Sequence, residues 1–174
     1  MSDLARVFFA LWPDESLRQQ LHQTSSLLHQ AHGGRRMQPD TVHLTLLFIG
    51  SLPRERLPEL QAAADAIQAP KFEVAFDQAD CWRHNRIAFL TASQPPAGLF
   101  YLVRSLEIQV GVAGIAFDRR PYKPHITLVR NADCGKAKPE LAPIPWAARD
   151  FVLVESRSDS NGASYSQLAR WPLL

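Results

Sequence analysis

The chain has 174 residues, 46% apolar and 21% charged, with a formal net charge of +2 and a pI near 8.7. That balance is ordinary for a globular protein, in one domain or in two small lobes sharing a core. No run of eighteen apolar residues occurs, so no membrane-spanning helix is expected, and a net charge this small is no proof of nucleic-acid binding.

The elements follow in chain order. Arg6 to Trp12 is an apolar run that reads as a buried strand. Pro13-Asp14 opens a helix, capped by Asp14 or Ser16, that carries Leu17, Leu21 and Leu28 at helical spacings to about His32 and ends at Gly33-Gly34. Val42 to Ile49 is a strand turned by Gly50-Ser51, and a second helix spans roughly 54–68. Lys71 to Phe76 alternates as a half-buried strand, and Arg86 to Thr91 forms another. Pro95-Pro96 marks a loop before an amphipathic helix through Leu99, Leu102, Val103, Leu106 and Val110. His125 to Arg130 is a strand, 131–145 a long loop, and Asp150–Glu155 and Ala163–Ala169 two strands joined by Asp159-Ser160-Asn161-Gly162. Strands come in pairs between helices, which predicts a mixed α+β architecture over a doubly wound sheet. The whole chain, 1–174, is expected to form one two-lobed unit.

Two of the predicted strands repeat a phrase. His43-Leu44-Thr45-Leu46 and His125-Ile126-Thr127-Leu128 both read His-apolar-Thr-apolar, 82 residues apart. Residues two apart on a strand share a face, so each phrase presents an imidazole beside a hydroxyl. With six His and five Thr in the chain, two such matches should arise in about one shuffle in fifty. The flanks rhyme too. Arg35-Arg36 and Pro39 precede His43; Arg119-Arg120 and Pro124 precede His125. An internal duplication follows, with two similar lobes of antiparallel sheet, helices outside, facing each other across a central cleft.

Two imidazoles facing one cleft can run acid–base catalysis without a cofactor, each proton transfer supplying about 10²–10⁴-fold. Threonine hydroxyls can donate to oxygens that gain charge, which suits phosphoryl transfer and a strained cyclic phosphodiester above all. No Asp or Glu lies within either phrase, so metal ligands and a metal cofactor are not expected.

On these residues the chain resembles the two-histidine phosphoesterase superfamily. The flanks Arg6-Val7-Phe8-Phe9-Ala10, Leu47-Phe48-Ile49-Gly50 and Arg120-Pro121-Tyr122-Lys123-Pro124, with Tyr165-Ser166-Gln167-Leu168 as a weaker match, resemble its bacterial RNA 2′,3′-cyclic phosphodiesterase (2′–5′ RNA ligase) branch. The resemblance implies metal-independent hydrolysis of RNA 2′,3′-cyclic phosphate ends, tRNA fragments among the candidates, to a 2′-phosphate, with 2′–5′ joining in reverse. It implies His43 as proton donor, His125 as proton acceptor, and Thr45 and Thr127 on the non-bridging oxygens. The alternatives are a small nucleotide-derived cyclic phosphate as substrate, or a non-catalytic RNA-binding module.

Around that core the candidate substrate contacts are Arg130, Tyr122, Phe9 and Phe48. Strict alternation puts Arg130 on the face opposite His125, so a strand end or a bulge is required for it to reach phosphate. Trp82 and Arg83, in a predicted polar turn, are weaker candidates. The histidines of the first helix, His22, His29 and His32, are expected to be solvated, and Cys81 and Cys134 to be reduced thiols in a cytoplasmic, monomeric protein without an export signal. Fifteen Arg against four Lys also suits phosphate, although a GC-rich genome gives the same bias.

Overall fold

The computed structural model describes residues 3–174. Strand β1 (Leu4–Leu11) leads into helix α1 (Glu15–His32). Asp14 caps that helix by accepting from the Leu17 N–H at 2.8 Å, and Gly33 closes it by donating to the His29 carbonyl. A two-residue strand, β2 (Arg35–Arg36), and a 3₁₀ turn (Pro39–Thr41) precede β3 (Leu44–Pro53). A second 3₁₀ turn (Arg54–Arg56) runs into α2 (Leu57–Asp65). Then come β4 (Phe72–Phe76), β5 (Gln78–Trp82), β6 (Ile87–Thr91), α3 (Ala97–Val112), β7 (Ile126–Arg130), β8 (Ile144–Ala148), β9 (Asp150–Asp159) and β10 (Gly162–Pro172).

The architecture is the expected mixed α+β arrangement of antiparallel sheets. One sheet has the order β10-β9-β1-β3 and the other β2-β7-β6-β5, with β4 and β8 as a separate ribbon. Each four-stranded sheet therefore carries one motif strand at or next to its edge, and those strands, β3 and β7, adjoin. The main core, from Val7 and Phe9 to Leu102, Leu128 and Phe151, runs continuously through both sheets and under the helices. No helix among the described residues is long and apolar enough to cross a membrane.

Three strands lie where none was expected, the two-residue β2 among them. Residues 78–82 pair along β6, and 144–148 cut short the predicted loop. Pro145 is tolerated in β8 because it points outward on a two-stranded ribbon, while Ile144, Trp146 and Ala148 point inward.

The cysteines correct the expectation of free thiols. Cys81 and Cys134 form a disulfide, with Cα atoms 5.4 Å apart. After β7 the chain folds back over the β5–β6 turn, where the Ala132 N–H donates to the Arg86 carbonyl, and then to α1, where the Asp133 N–H donates to the His32 carbonyl. That return carries Cys134 to the edge strand β5. A separation of 53 residues gives no hint of it.

Both motif strands are bulged at the same place. Thr45 and Leu47 pair with Ala10 and Phe9, leaving Leu46 extra. Thr127 and Val129 pair with Phe89 and Ala88, leaving Leu128 extra. The two bulged residues are again 82 apart, and each is followed by a second buried residue, so the alternation flips beyond it. The residue two past the bulge returns to the cleft: Phe48 in β3, Arg130 in β7.

The segments leading into the motifs are crossed. The first leader, Arg35-Arg36, pairs with Arg130 and Val129 of β7, and the Met37 N–H donates to the Leu128 carbonyl at 2.8 Å. The second leader lies on β3: the Asp118 N–H donates to the Phe48 carbonyl at 2.8 Å and the Tyr122 hydroxyl to the Thr45 carbonyl at 2.9 Å. Gly34 makes the first crossing possible. Its φ is +81°, and a Cβ there would sit 2.9 Å from the Asn131 carbonyl oxygen and closer still to that of Arg130.

Candidate active site

Both histidines are held the same way. The His43 Nδ1–H donates to the Thr41 carbonyl at 2.7 Å, and the His125 Nδ1–H to the Lys123 carbonyl at 2.8 Å. Each ring is thus anchored to the carbonyl two residues earlier, which fixes the tautomer and turns Nε2 to the cleft. His43 Nε2 lies 3.0 Å from Thr45 Oγ1. The Thr91 hydroxyl donates to the Pro124 carbonyl at 2.8 Å and steadies the chain just before His125.

The surroundings of the two rings differ. His43 lies between Trp12, parallel at 5.1 Å, and Phe8 at 4.9 Å, with Tyr165 edge-on at 5.4 Å. Phe8, Ala10, Val152 and Val154 form a small apolar cluster under this box. Burial lowers the His43 pKa to about 4, the Thr41 carbonyl opposes the shift, and positive charge on His125 and Arg130 adds to it. His125 meets the edge of Trp82 at 4.6 Å and Phe89 at 5.7 Å. Its pKa is also lowered by burial, against the pull of the Lys123 carbonyl. Positive charge on both His125 and Arg130 thus acts on His43, as the contact between β3 and β7 allows.

Arg130 reaches this cleft through the Leu128 bulge, by the route that alternation alone forbids. Burial raises the pKa of the Tyr165 phenol, while the positive charges of Arg130 and Arg6 pull it back down. Phe48 faces the cleft with the Arg6 guanidinium over its ring at 4.9 Å. Phe9 does not. It is fully buried on the opposite face against Phe151 and Trp171, so the expectation that it meets substrate is corrected. Two consecutive buried positions at Phe8 and Phe9 hide which one faces the cleft. Tyr122 commits its hydroxyl to Thr45 and acts as a strut between the halves, and burial raises its pKa.

Trp82 ends a strand rather than sitting in a turn, and packs on Phe89 at 4.3 Å. The box residues Trp12 and Phe8 are not among the expected contacts. The alternation Arg6, Phe8, Ala10 in β1, continued by Trp12 just past its end, is the signal that could have found them. His32 is buried, not solvated, and bonds the Asp133 carbonyl at 3.0 Å through Nδ1. Among the described residues no group of three His, Cys, Asp or Glu is placed to hold a metal.

Chemically, two anchored imidazoles turn from their carbonyls, His43 Nε2 beside the Thr45 hydroxyl, with the positive charge of Arg130 acting on His43. That set can take a proton from one oxygen, give one to another, and bind anionic oxygens between them.

A family model described as LigT like phosphoesterase matches residues 11–89. The chain is 32% identical to the RNA 2′,3′-cyclic phosphodiesterase of Escherichia coli strain K12 over 99% of both chains. It is 29% identical to that of Thermus thermophilus over 97% of this chain and 90% of the relative. Among solved structures, E. coli LigT in apo form superposes with a TM-score of 0.84 at 31% identity over 99% of both chains. Its complex with 3′-AMP gives the same score over 98% of this chain and 99% of that one.

Proposed function

The chain belongs to the LigT-like phosphoesterase family, and from that premise we propose that it hydrolyses RNA 2′,3′-cyclic phosphate ends to 2′-phosphates, with 1–174 acting as one two-lobed unit. The observation that carries this reading is the pair of carbonyl-anchored histidines at the heads of two adjoining motif strands, with His43 Nε2 next to the Thr45 hydroxyl.

His125 Nε2 takes a proton from water as the oxygen attacks phosphorus. The bond from phosphorus to the 3′ oxygen breaks, and protonated His43 gives that oxygen its proton from Nε2. The products are a 2′-phosphate and a free 3′ hydroxyl. The Thr45 and Thr127 hydroxyls donate to the non-bridging oxygens, and Arg130 offsets their charge. Phe48, backed by Arg6, offers a face for the terminal base. With a ribose 5′ hydroxyl in place of water, the same two proton transfers would yield a 2′–5′ linkage, and on this scheme the same site would join RNA ends.

The test is hydrolysis of short RNAs ending in a 2′,3′-cyclic phosphate, with chelator present and the product identified. A 2′-phosphate is expected, at a rate the chelator leaves alone. A 3′-phosphate product, or activity lost to chelator and restored by Zn²⁺ or Mn²⁺, refutes the scheme. His43→Ala should be partly relieved by an activated ester whose leaving group needs no proton, and His125→Ala far less. Equal relief of both would reverse or void the roles.

A further inference from the structure

In the sequence, Arg35 stands out only as part of a repeated flank. Its place in the fold is specific. It is cross-strand partner to Arg130 in the β2–β7 pair, and directly paired residues project to one face, with Cα atoms about 5 Å apart. Arg130 faces the cleft, so Arg35 does as well. Its neighbour Arg36 projects the other way, donating to Ser25 Oγ at 2.8 Å and to the His22 carbonyl at 2.6 Å in α1. Arg35 is exposed at the cleft rim.

Like charges directly opposite on a sheet repel, and the usual remedy is a carboxylate. Seven other arginines have one within salt-bridge distance. Among the described residues neither Arg35 nor Arg130 has one, although the two are cross-strand partners. The crossing that creates the pair also requires a left-handed Gly34 pressed against the Arg130 carbonyl. A close approach that only glycine allows, bringing two unneutralised guanidinium groups together, fits an anionic ligand that both can share.

Resting on the phosphodiesterase reading above, we propose that Arg35 binds the next phosphodiester of the substrate, on the 5′ side of the terminal nucleotide, while Arg130 faces the cyclic phosphate. The substrate class is then an oligoribonucleotide in preference to a free nucleoside 2′,3′-cyclic phosphate. Only the longer substrate carries the second phosphate.

The experiment compares kcat/KM for a short RNA ending in a 2′,3′-cyclic phosphate with that for a nucleoside 2′,3′-cyclic phosphate. It uses the wild type, Arg35→Ala and Arg35→Lys, over a range of salt, with melting temperatures recorded. The ratio of RNA to nucleotide should fall about tenfold or more in Arg35→Ala, and Arg35→Lys should recover part of it. The log–log salt dependence of the RNA reaction should weaken by about 0.7 with the loss of one phosphate contact. An unchanged ratio in a working enzyme, or equal losses on both substrates, overturns the assignment of Arg35 alone. A wild type that opens neither ester overturns the phosphodiesterase reading and this one with it.

Discussion

The His43 ring is neutral in the free protein, yet the proposed step needs it to deliver a proton, so anion binding must bring that proton in. With a pKa of about 4, the ring is only about 1% protonated at pH 6. An anion about 4 Å away, at an effective dielectric near 20, favours the imidazolium by about 4 kcal/mol. At about 1.4 kcal/mol per pH unit, that brings the pKa to about 7. The aromatic faces of Trp12 and Phe8 also favour a cation between them once it forms. Sulfate is the probe of choice, because it has no proton of its own to exchange near neutrality. Imidazole resonances followed by NMR from pH 3.5 to 8, with His43→Gln to assign its signal, should show His43 titrating near 4 without sulfate and more than two pH units higher with it saturating. His125 should stay below its ordinary value in the free protein. A His43 that titrates near 6.5 without sulfate, or at one unchanged pH in both series, would refute the reasoning.

Three further outcomes follow from particular contacts. Gly34→Ala forces a Cβ against the Arg130 carbonyl at a φ of +81°, and should cost about 2–4 kcal/mol in urea denaturation. Tyr122→Phe removes the hydroxyl that donates to Thr45, and should cost about 1 kcal/mol of stability while lowering kcat for the cyclic ester more than it changes KM. Replacing both cysteines by Ser frees a loop closed over 53 residues, worth up to about 4 kcal/mol in the chain-entropy account, and should lower the melting temperature by about 10 °C; an unmoved transition would show that the bridge adds nothing.

The strand periodicity of the motifs and the helical spacing of α1 and α3 are legible in the sequence because each repeats one apolar pattern over several residues. The His-Thr pairing is legible because period-two geometry needs no tertiary information. The bulges at Leu46 and Leu128 are not, since two adjacent buried residues look the same in sequence whether a strand is fully buried or bulged. That ambiguity hides the direction of Arg130 and makes Phe9 look as available as Phe8. Strand β5 escapes because Gln78-Ala79-Asp80-Cys81-Trp82 lacks a clean apolar alternation, and β8 because Pro145 reads as a break. The disulfide and the Arg35–Arg130 pair are products of long-range return paths, which leave no local trace.

The crossed leaders bind the two halves like clasped hands. Each half supplies the edge on which the other's motif strand rests, through Arg35 to Met37 on β7 and Asp118 to Tyr122 on β3. A half-length fragment would therefore hold its own histidine on a strand with one bare edge. Two such fragments could complete each other only by exchanging leaders, as a swapped dimer does. The joined chain makes that exchange permanent. It also means that the cleft cannot gape by simple hinging: parting β3 from β7 would strip the leader hydrogen bonds from both motif strands at once.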